Sequence, residues 1–235
     1  MKVNSYLNLR NKYDGGSCMI LGAGPSLYFN MHEPFFKEIS QHGLTIAVNS
    51  AVMVVPNFDY WISNDVMCRT WSWYKNVIKG KGAKIVRSSW KKYKKELKDF
   101  LFFDPRPTSE NVINSEHLGL SYCNSTCSAL DLSIQMGFKK VFIFGLDHNT
   151  IKNKHHFWEF LPKEKQPTYK HYIPDSWEKQ QENFSIAMKA YKALKGFADI
   201  KNVDIYNVNW KYFGRYLTKV NTFKKIEICD IKKII

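Results

Sequence analysis

The chain has 235 residues, 44% of them hydrophobic, and a formal net charge of +14. This length fits one α/β domain, and because no run reaches about 18 apolar residues, no transmembrane segment is expected. Residues 1–16 lack the apolar stretch of a signal peptide. The chain has five cysteines, and an odd number is typical of a protein whose thiols are reduced. We therefore predict a cytoplasmic protein.

The positive charge would suit an anionic partner such as a nucleotide or a nucleic acid. Of the 35 basic residues, however, only five are arginine, and Lys-rich usage is also what an AT-rich genome produces. Lysine attracts anions without the geometric specificity of arginine, so charge alone does not identify the partner.

Residues 18–26 predict a buried strand, a glycine-rich loop and the start of a helix. Gly22 and Gly24 let the backbone turn tightly and approach a ligand closely, and Pro25 and Ser26 are helix-start residues. A helix beginning there would direct its N–H groups and dipole at a nucleotide phosphate. The third glycine of the dinucleotide fingerprint is missing, so NAD binding is not predicted. The alternative is a plain tight turn.

Apolar runs between glycine and proline breaks predict alternating strands and helices along the remaining chain. The later strands are predicted at residues 44–48, 60–63, 84–87, 141–144 and 203–208, and the later helices at 33–41, 71–78, 90–100, 125–136 and 177–197. This alternation predicts a Rossmann-like α/β fold, with a mainly parallel sheet flanked by helices.

One nucleotide-binding domain is predicted over residues 1–235. Residues 148–175, after the fifth predicted strand, are long for a loop and are predicted to form a lid over the site. Residues 211–235 are predicted to be a peripheral tail, with an edge strand at 225–229.

Small polar residues follow the predicted strands, where parallel sheets bind their ligands. Asp65 and Asp147 are candidate Mg²⁺ ligands for a diphosphate, although strand-end aspartates also serve as turn formers or helix caps. The remaining strand-end candidates for the nucleotide are Gly22, Gly24, Pro25, Ser26, Asn49 and Ser50. Ser125, at the start of a predicted helix, is a further candidate because a helix N-terminus binds anions.

Four motifs together resemble a known family. They are Gly22-Ala23-Gly24-Pro25-Ser26-Leu27, Asn49-Ser50-Ala51, Asn64-Asp65 and the block from Asn124 to Asp147. They look like the motility-accessory-factor-like family, also labelled domain of unknown function 115, which is similar to the bacterial sialyltransferases of glycosyltransferase family 42. The resemblance covers most of residues 18–65 and 121–190. It implies that the glycine loop, Asn49, Asn124 and Ser125 bind a nucleotide-sugar donor.

The resemblance also implies catalytic residues within the insert. Residues 171–173 match the His-Tyr-Ile motif of the sialyltransferases, and Tyr172 is implied to face the leaving phosphate. The position of the family's catalytic histidine holds Asp175, a weak base unless burial raises its unperturbed pKa of about 3.9. The histidine that follows Gly-x-Asp in the motility-accessory group matches residues 155–156. The general-base candidates are therefore His155, His156, His171 and Asp175.

Three functions remain open from the sequence. The first is a sialyltransferase-like glycosyltransferase that uses a CMP- or UDP-type donor and a glycan, protein or other hydroxyl acceptor. The second is a Mg²⁺-dependent diphosphotransferase resembling pterin pyrophosphokinases, with Asp65 and Asp147 as metal ligands. The third is a non-catalytic nucleotide- or nucleic-acid-binding protein. Four histidines within residues 148–171 favour an enzyme, because neutral imidazole is the best-matched base near pH 7.

Overall fold

The structure is a computed structural model that describes residues 5–106, 119–121, 123–169 and 177–234. Its strands are β1 (Ser17–Leu21), β2 (Leu44–Val48), β3 (Tyr60–Ser63), β4 (Ala83–Arg87), β5 (Phe100–Phe103), β6 (Pro105–Arg106), β7 (Leu120–Ser121), β8 (Lys140–Phe144), β9 (Asp204–Val208), β10 (Lys211–Tyr212), β11 (Arg215–Tyr216) and β12 (Lys224–Ile226). Its helices are α1 (Ser26–Asn30), α2 (Pro34–His42), α3 (Tyr74–Lys79), α4 (Ser125–Gln135) and α5 (Trp177–Ile200).

The main sheet has eight strands in the order β12-β9-β8-β1-β2-β3-β4-β5. Every pair of neighbours in it runs parallel. The chain moves outward from β1 to β5 and then returns to β8 on the other side of β1, so the strand order reverses between β1 and β8. This confirms the predicted Rossmann-like α/β fold.

Helices cover both faces of the sheet because alternate strand residues point to opposite sides. Ile20 packs on one face with residues of α4 and α5, whereas Leu21 packs on the other face with residues of α1, α2 and α3. The α4 helix is buried along almost its whole length. Its Asp131 is fully buried and accepts hydrogen bonds from Arg106 at 2.7 Å and from the N–H of Ser121 at 2.7 Å.

Residues 90–100, for which the sequence predicts a solvated helix or helical loop, are more buried than predicted. A 3₁₀ helix spans Ser88–Glu96, and the chain then enters β5, which pairs with β4 at the sheet edge. Trp90, Leu97 and Phe100 are buried. Because lysines surround these buried residues in the sequence, the apolar positions do not form a recognisable hydropathy pattern. Because β5 is an additional strand, the insert follows the sixth strand of the main sheet along the chain.

Residues 211–234, which the sequence predicts to be a peripheral tail, contribute the strand β12 to the edge of the main sheet. The β12 strand pairs with β9, close to the predicted edge strand, and Val220 and Phe223 are buried. The hydroxyl of Thr218 donates to the carbonyl of Leu146 at 2.7 Å. This segment therefore holds the loop that follows β8.

The described part of the insert, residues 148–169, packs on the glycine loop and on α1. The N–H of Phe157 donates to the carbonyl of Ala23 at 3.0 Å, and the Phe157 side chain is fully buried. The ring of Phe160 stacks on Tyr28 with centroids 5.2 Å apart. Closure of the insert as a lid stays a prediction.

None of the helices in the described part of the chain has the length and apolar character needed to span a bilayer.

Candidate functional site

A cavity of about 390 Å³ lies beyond the carboxyl ends of β1, β2 and β8, where the strand order reverses. We call it the polar lobe. The predicted site residues that line it are Gly24, Asn49, Asn124, Ser125, Asp147, His155 and His156. An adjoining cavity of about 370 Å³ contains Ser50 and Asp65. The predicted catalytic residues His171, Tyr172 and Asp175 lie outside the described residues.

The glycines of the first loop are required for packing between two loops of the protein. A Cβ on Gly22 would lie 2.7 Å from the carbonyl oxygen of Gly145, and one on Gly24 would lie 2.6 Å from Oδ2 of Asp147. The N–H of Gly24 donates to the carbonyl of Gly145 at 3.0 Å. The loop after β8 therefore occupies the space that we expected a ligand to approach.

The predicted phosphate site at the start of α1 is filled by a carboxylate of the protein. Oδ2 of Asp147 accepts from the N–H of Ser26 at 2.6 Å, and Oδ1 accepts from Nδ2 of Asn209 at 2.6 Å. Ser26 is fully buried, and Pro25 has no N–H to offer. Burial raises the pKa of Asp147, although these hydrogen bonds oppose the shift. Ser26 and Pro25 therefore help Asp147 to hold the glycine loop in place.

Magnesium prefers oxygen ligands, but Asp65 and Asp147 do not fit the metal site predicted for them. Both oxygens of Asp147 are engaged within the protein. Asp65 lies in the other cavity, where its Oδ1 accepts from the N–H of Met67 at 2.8 Å. Within the described ranges, no group of three His, Cys, Asp or Glu residues is placed to hold a metal ion.

The N-terminus of α4 offers the polar lobe an anion-binding end. Asn124 caps this helix, with its Oδ1 accepting from the N–H of Cys127 at 2.8 Å, and Oγ of Ser125 accepts from the N–H of Asn64 at 3.0 Å. Ser125 and Thr126 line the cavity, and no residue of the described ranges accepts a hydrogen bond from their N–H groups. The N–H groups and dipole of this 11-residue helix favour a negative charge.

A hydrogen-bonded chain connects the cap of α4 to His148. Nδ2 of Asn124 donates to the hydroxyl of Tyr191 at 3.2 Å, and that hydroxyl lies 3.0 Å from Nε2 of His148. The surrounding protein lowers the pKa of His148 to about 4 by desolvation, so the ring is neutral at pH 7. His148 has a φ of 46°, which is uncommon for a residue other than glycine and recurs at functional sites.

Adjacent histidines have different roles in the structure. The N–H groups of both His155 and His156 donate to Oε1 of Glu159. The ring of His156 hydrogen-bonds to the backbone of Ala23 and stacks on Trp158 with centroids 5.2 Å apart. His156 therefore helps to tie the insert to the glycine loop. His155 lines the polar lobe, and its ring has no hydrogen-bond partner among the described residues.

Burial lowers the pKa of His156, and desolvation lowers that of His148, so acid should destabilise the fold. The unfolded chain, with histidine pKa values near 6.5, binds these protons first. The free energy of unfolding therefore has its full value above about pH 6.5 and decreases as the pH falls toward about 4. We expect the Tm to fall between pH 7 and pH 5, and to fall less in His156→Asn, which lacks one of the two titrating rings. Thermal unfolding at several pH values checks this, and an equal slope in both proteins would contradict it.

Several lining residues of the polar lobe were not predicted as site residues. Lys219 reaches it from the segment after β11, and the N–H of Lys219 donates to the carbonyl of Asp147 at 2.8 Å. From α5, Gln181, Asn183 and Tyr191 also line it. The sequence signal that could have identified Tyr191 is its position on the apolar stripe of a predicted helix. A tyrosine there buries its hydroxyl, and a buried hydroxyl requires a polar partner.

No family model matches this sequence, and no curated protein matches it. The fold is similar to that of MAf glycosyltransferase from Magnetospirillum magneticum AMB-1, with a TM-score of 0.55 and 12% sequence identity. The alignment covers 96% of this chain and 38% of that chain, so this chain spans well under half of the neighbour's length. At this identity the likeness shows the fold, and relationship to the motility-accessory-factor-like family and glycosyltransferase family 42 stays a prediction.

Proposed function

We propose that this protein is a nucleotide-sugar-dependent glycosyltransferase with a sialyltransferase-like donor site. The observation that supports this most is that the N-terminus of α4 and His155 line the same cavity. A glycosyl transfer needs an anion site for the leaving phosphate and a base for the acceptor hydroxyl. The fold likeness to a glycosyltransferase also supports the proposal.

The donor phosphate would bind in the polar lobe at the start of α4. The N–H groups of Ser125 and Thr126 would donate to its oxygens, and Lys219, which lines the same cavity, would place its ammonium group against them. Asn49 has a φ of 50° and lies at the boundary with the adjoining cavity, where its amide would bind the donor's sugar. A CMP- or UDP-type nucleotide is the proposed donor class.

In the proposed reaction, His155 removes the proton from an acceptor hydroxyl. The hydroxyl oxygen bonds to the anomeric carbon of the donor sugar as the bond from that carbon to the phosphate oxygen breaks. The leaving nucleotide retains the bonding electron pair, and the N–H groups at the start of α4 stabilise its charge. His155 holds the proton at the end of the step.

The two other functions have less support. A Mg²⁺-dependent diphosphotransferase would need acidic ligands in one place, whereas Asp147 is used in capping α1 and Asp65 lies in the other cavity. Non-catalytic binding of nucleic acid rests on the net charge of +14 and does not account for the presence of His155 in the polar lobe.

A nucleotide-binding panel tests the proposal. We expect CMP or UDP to stabilise the protein without metal, by about 2.7 kcal/mol at a hundredfold excess over Kd. Lys219→Gln should weaken nucleotide binding about tenfold, which corresponds to about 1.4 kcal/mol. Lys37→Gln, which removes an exposed lysine from α2, is the matched control and should leave Kd unchanged.

The remaining outcomes of the panel separate the three functions. Stabilisation only by ATP with Mg²⁺ would replace this proposal with diphosphoryl transfer. Salt-sensitive binding of RNA or DNA without any nucleotide effect would favour the nucleic-acid function. The measurements are thermal shift for the panel and isothermal titration calorimetry for the variants.

A further inference from the structure

The second cavity, which we call the aromatic lobe, differs in chemistry from the polar lobe. Its walls carry Trp71, Trp73, Trp158 and Tyr169, and its acidic residue is Asp65. No lysine or arginine of the described residues lines it. A phosphate-bearing group would therefore find its charge partners in the polar lobe and would be repelled by Asp65 in the aromatic lobe.

The rings of the aromatic lobe form one continuous wall. Trp71 stacks on Tyr169, with centroids 4.7 Å apart and planes 8° apart, and Trp158 is tilted 58° to Trp71 at 5.7 Å. His156 stacks on Trp158 at 5.2 Å. Rings this close leave no slot for a flat group between them, so a ligand must lie on the face of the wall. An exposed aromatic face suits a sugar ring, because a sugar has C–H groups on one face and hydroxyls at its edge.

Polar groups flank this wall and match sugar hydroxyls. Asp65 is exposed and uses Oδ1 to cap a 3₁₀ turn, while Oδ2 has no hydrogen bond within the described ranges. The backbone carbonyl of Asn49 accepts a hydrogen bond from the indole N–H of Trp61. Among the described residues, its side-chain Oδ1 accepts only from the thiol of Cys68, at 3.7 Å. A carboxylate that accepts and an amide that also donates can bind neighbouring hydroxyls. Apolar walls with a few placed polar groups are typical of small-molecule sites.

The two lobes meet at Ala23, Asn49 and His156. A donor sugar that extends from the phosphate site at α4 and an acceptor in the aromatic lobe would come together at this boundary. Transfer requires the reacting atoms to be about 3–3.5 Å apart, so adjacent subsites that share residues are what the reaction needs.

We propose that the aromatic lobe is the acceptor subsite and that it binds a neutral sugar ring, stacked on Trp71 and Trp158 with its hydroxyls held by Asp65. At the boundary of the two lobes, Asn49 would contact both this ring and the donor's sugar. The assignment of this sugar as an acceptor rests on the proposed function. The saccharide site itself rests on the aromatic wall, on the acid beside it and on the absence of basic residues from its described lining.

Saturation-transfer difference NMR with neutral methyl glycosides of glucose, galactose, mannose and N-acetylglucosamine tests the site. At least one of these probes should receive saturation at its ring C–H protons. Trp71→Ala should raise its Kd about tenfold, consistent with the loss of an aromatic stacking surface. Asp65→Asn keeps the cap of the turn and should weaken binding about threefold, so a folded variant tests the site even if Trp71→Ala misfolds. Trp210→Ala, which removes a tryptophan stacked on Phe29 outside this lobe, is the matched control and should not change Kd.

CMP and UDP are titrated in the same samples, so that the two proposals fail separately. Nucleotide binding without binding of any glycoside would overturn the acceptor subsite and leave the proposed function standing. Glycoside binding that depends on Trp71 without nucleotide binding would support the saccharide site and contradict the donor proposal. Loss of nucleotide binding in Trp71→Ala would show that the wall stacks a nucleobase, and would overturn the inference.

Discussion

Replacement of His155 by alanine is expected to lower kcat for sugar transfer by about 10²- to 10⁴-fold, the usual contribution of a general base. His155 lines the polar lobe, and its backbone N–H, rather than its ring, holds the insert through Glu159. The fold and the binding of CMP or UDP should therefore survive the change. Steady-state kinetics, together with nucleotide titration of the same variant, measure the two effects separately.

The control for this prediction is His32→Ala, which removes an exposed histidine after α1. It should retain full activity. Retained activity in His155→Ala would remove His155 from the mechanism. If His156→Asn then lost activity at an unchanged Tm, the base would be His156. If neither variant lost activity, the predicted base would be His171 or Asp175.

Alanine at Gly24 is expected to destabilise the protein by about 1–3 kcal/mol, as overpacking of a tight site does. The new Cβ would lie 2.6 Å from Oδ2 of Asp147 and 2.7 Å from the carbonyl oxygen of Gly145. The second of these atoms is backbone, so the strain cannot be relieved by a rotamer change alone. The movement would also displace the cap of α1 and the wall of the polar lobe. Thermal or urea unfolding measures the loss, and the nucleotide titration reports the effect on the site.

Gly196→Ala is the matched control for Gly24→Ala. Gly196 is exposed within α5, and a Cβ there meets no atom within 4 Å. Alanine should therefore stabilise the helix by about 1 kcal/mol, because glycine is a poor helix former. The two alanine substitutions should change stability in opposite directions. Equal stability of Gly24→Ala and the unchanged protein would contradict the close packing between these loops.

The strands of the sheet were largely predictable from the sequence. Residues 44–48 and 60–63 are found over the predicted ranges, because short apolar runs between turn residues are typical of buried parallel strands. The sequence pattern does not predict the strand Phe100–Phe103. It follows a lysine-rich segment whose buried anchors, Trp90 and Leu97, do not form a regular pattern.

The sequence by itself determined the parallel α/β class, the position of the cleft beyond the strand ends, and the polar residues that would be found there. Only the tertiary structure decided which helix N-terminus is open to an anion. Asp147 fills the one at α1 from 121 positions away in the chain, which leaves the one at α4. Likewise, His155 and His156 are neighbours in sequence, and the hydrogen bond of the His156 ring to the backbone of Ala23 distinguishes them. Local patterns predict elements because propensity and periodicity are local, whereas an orphaned or satisfied polar group depends on partners that meet only when the chain has folded.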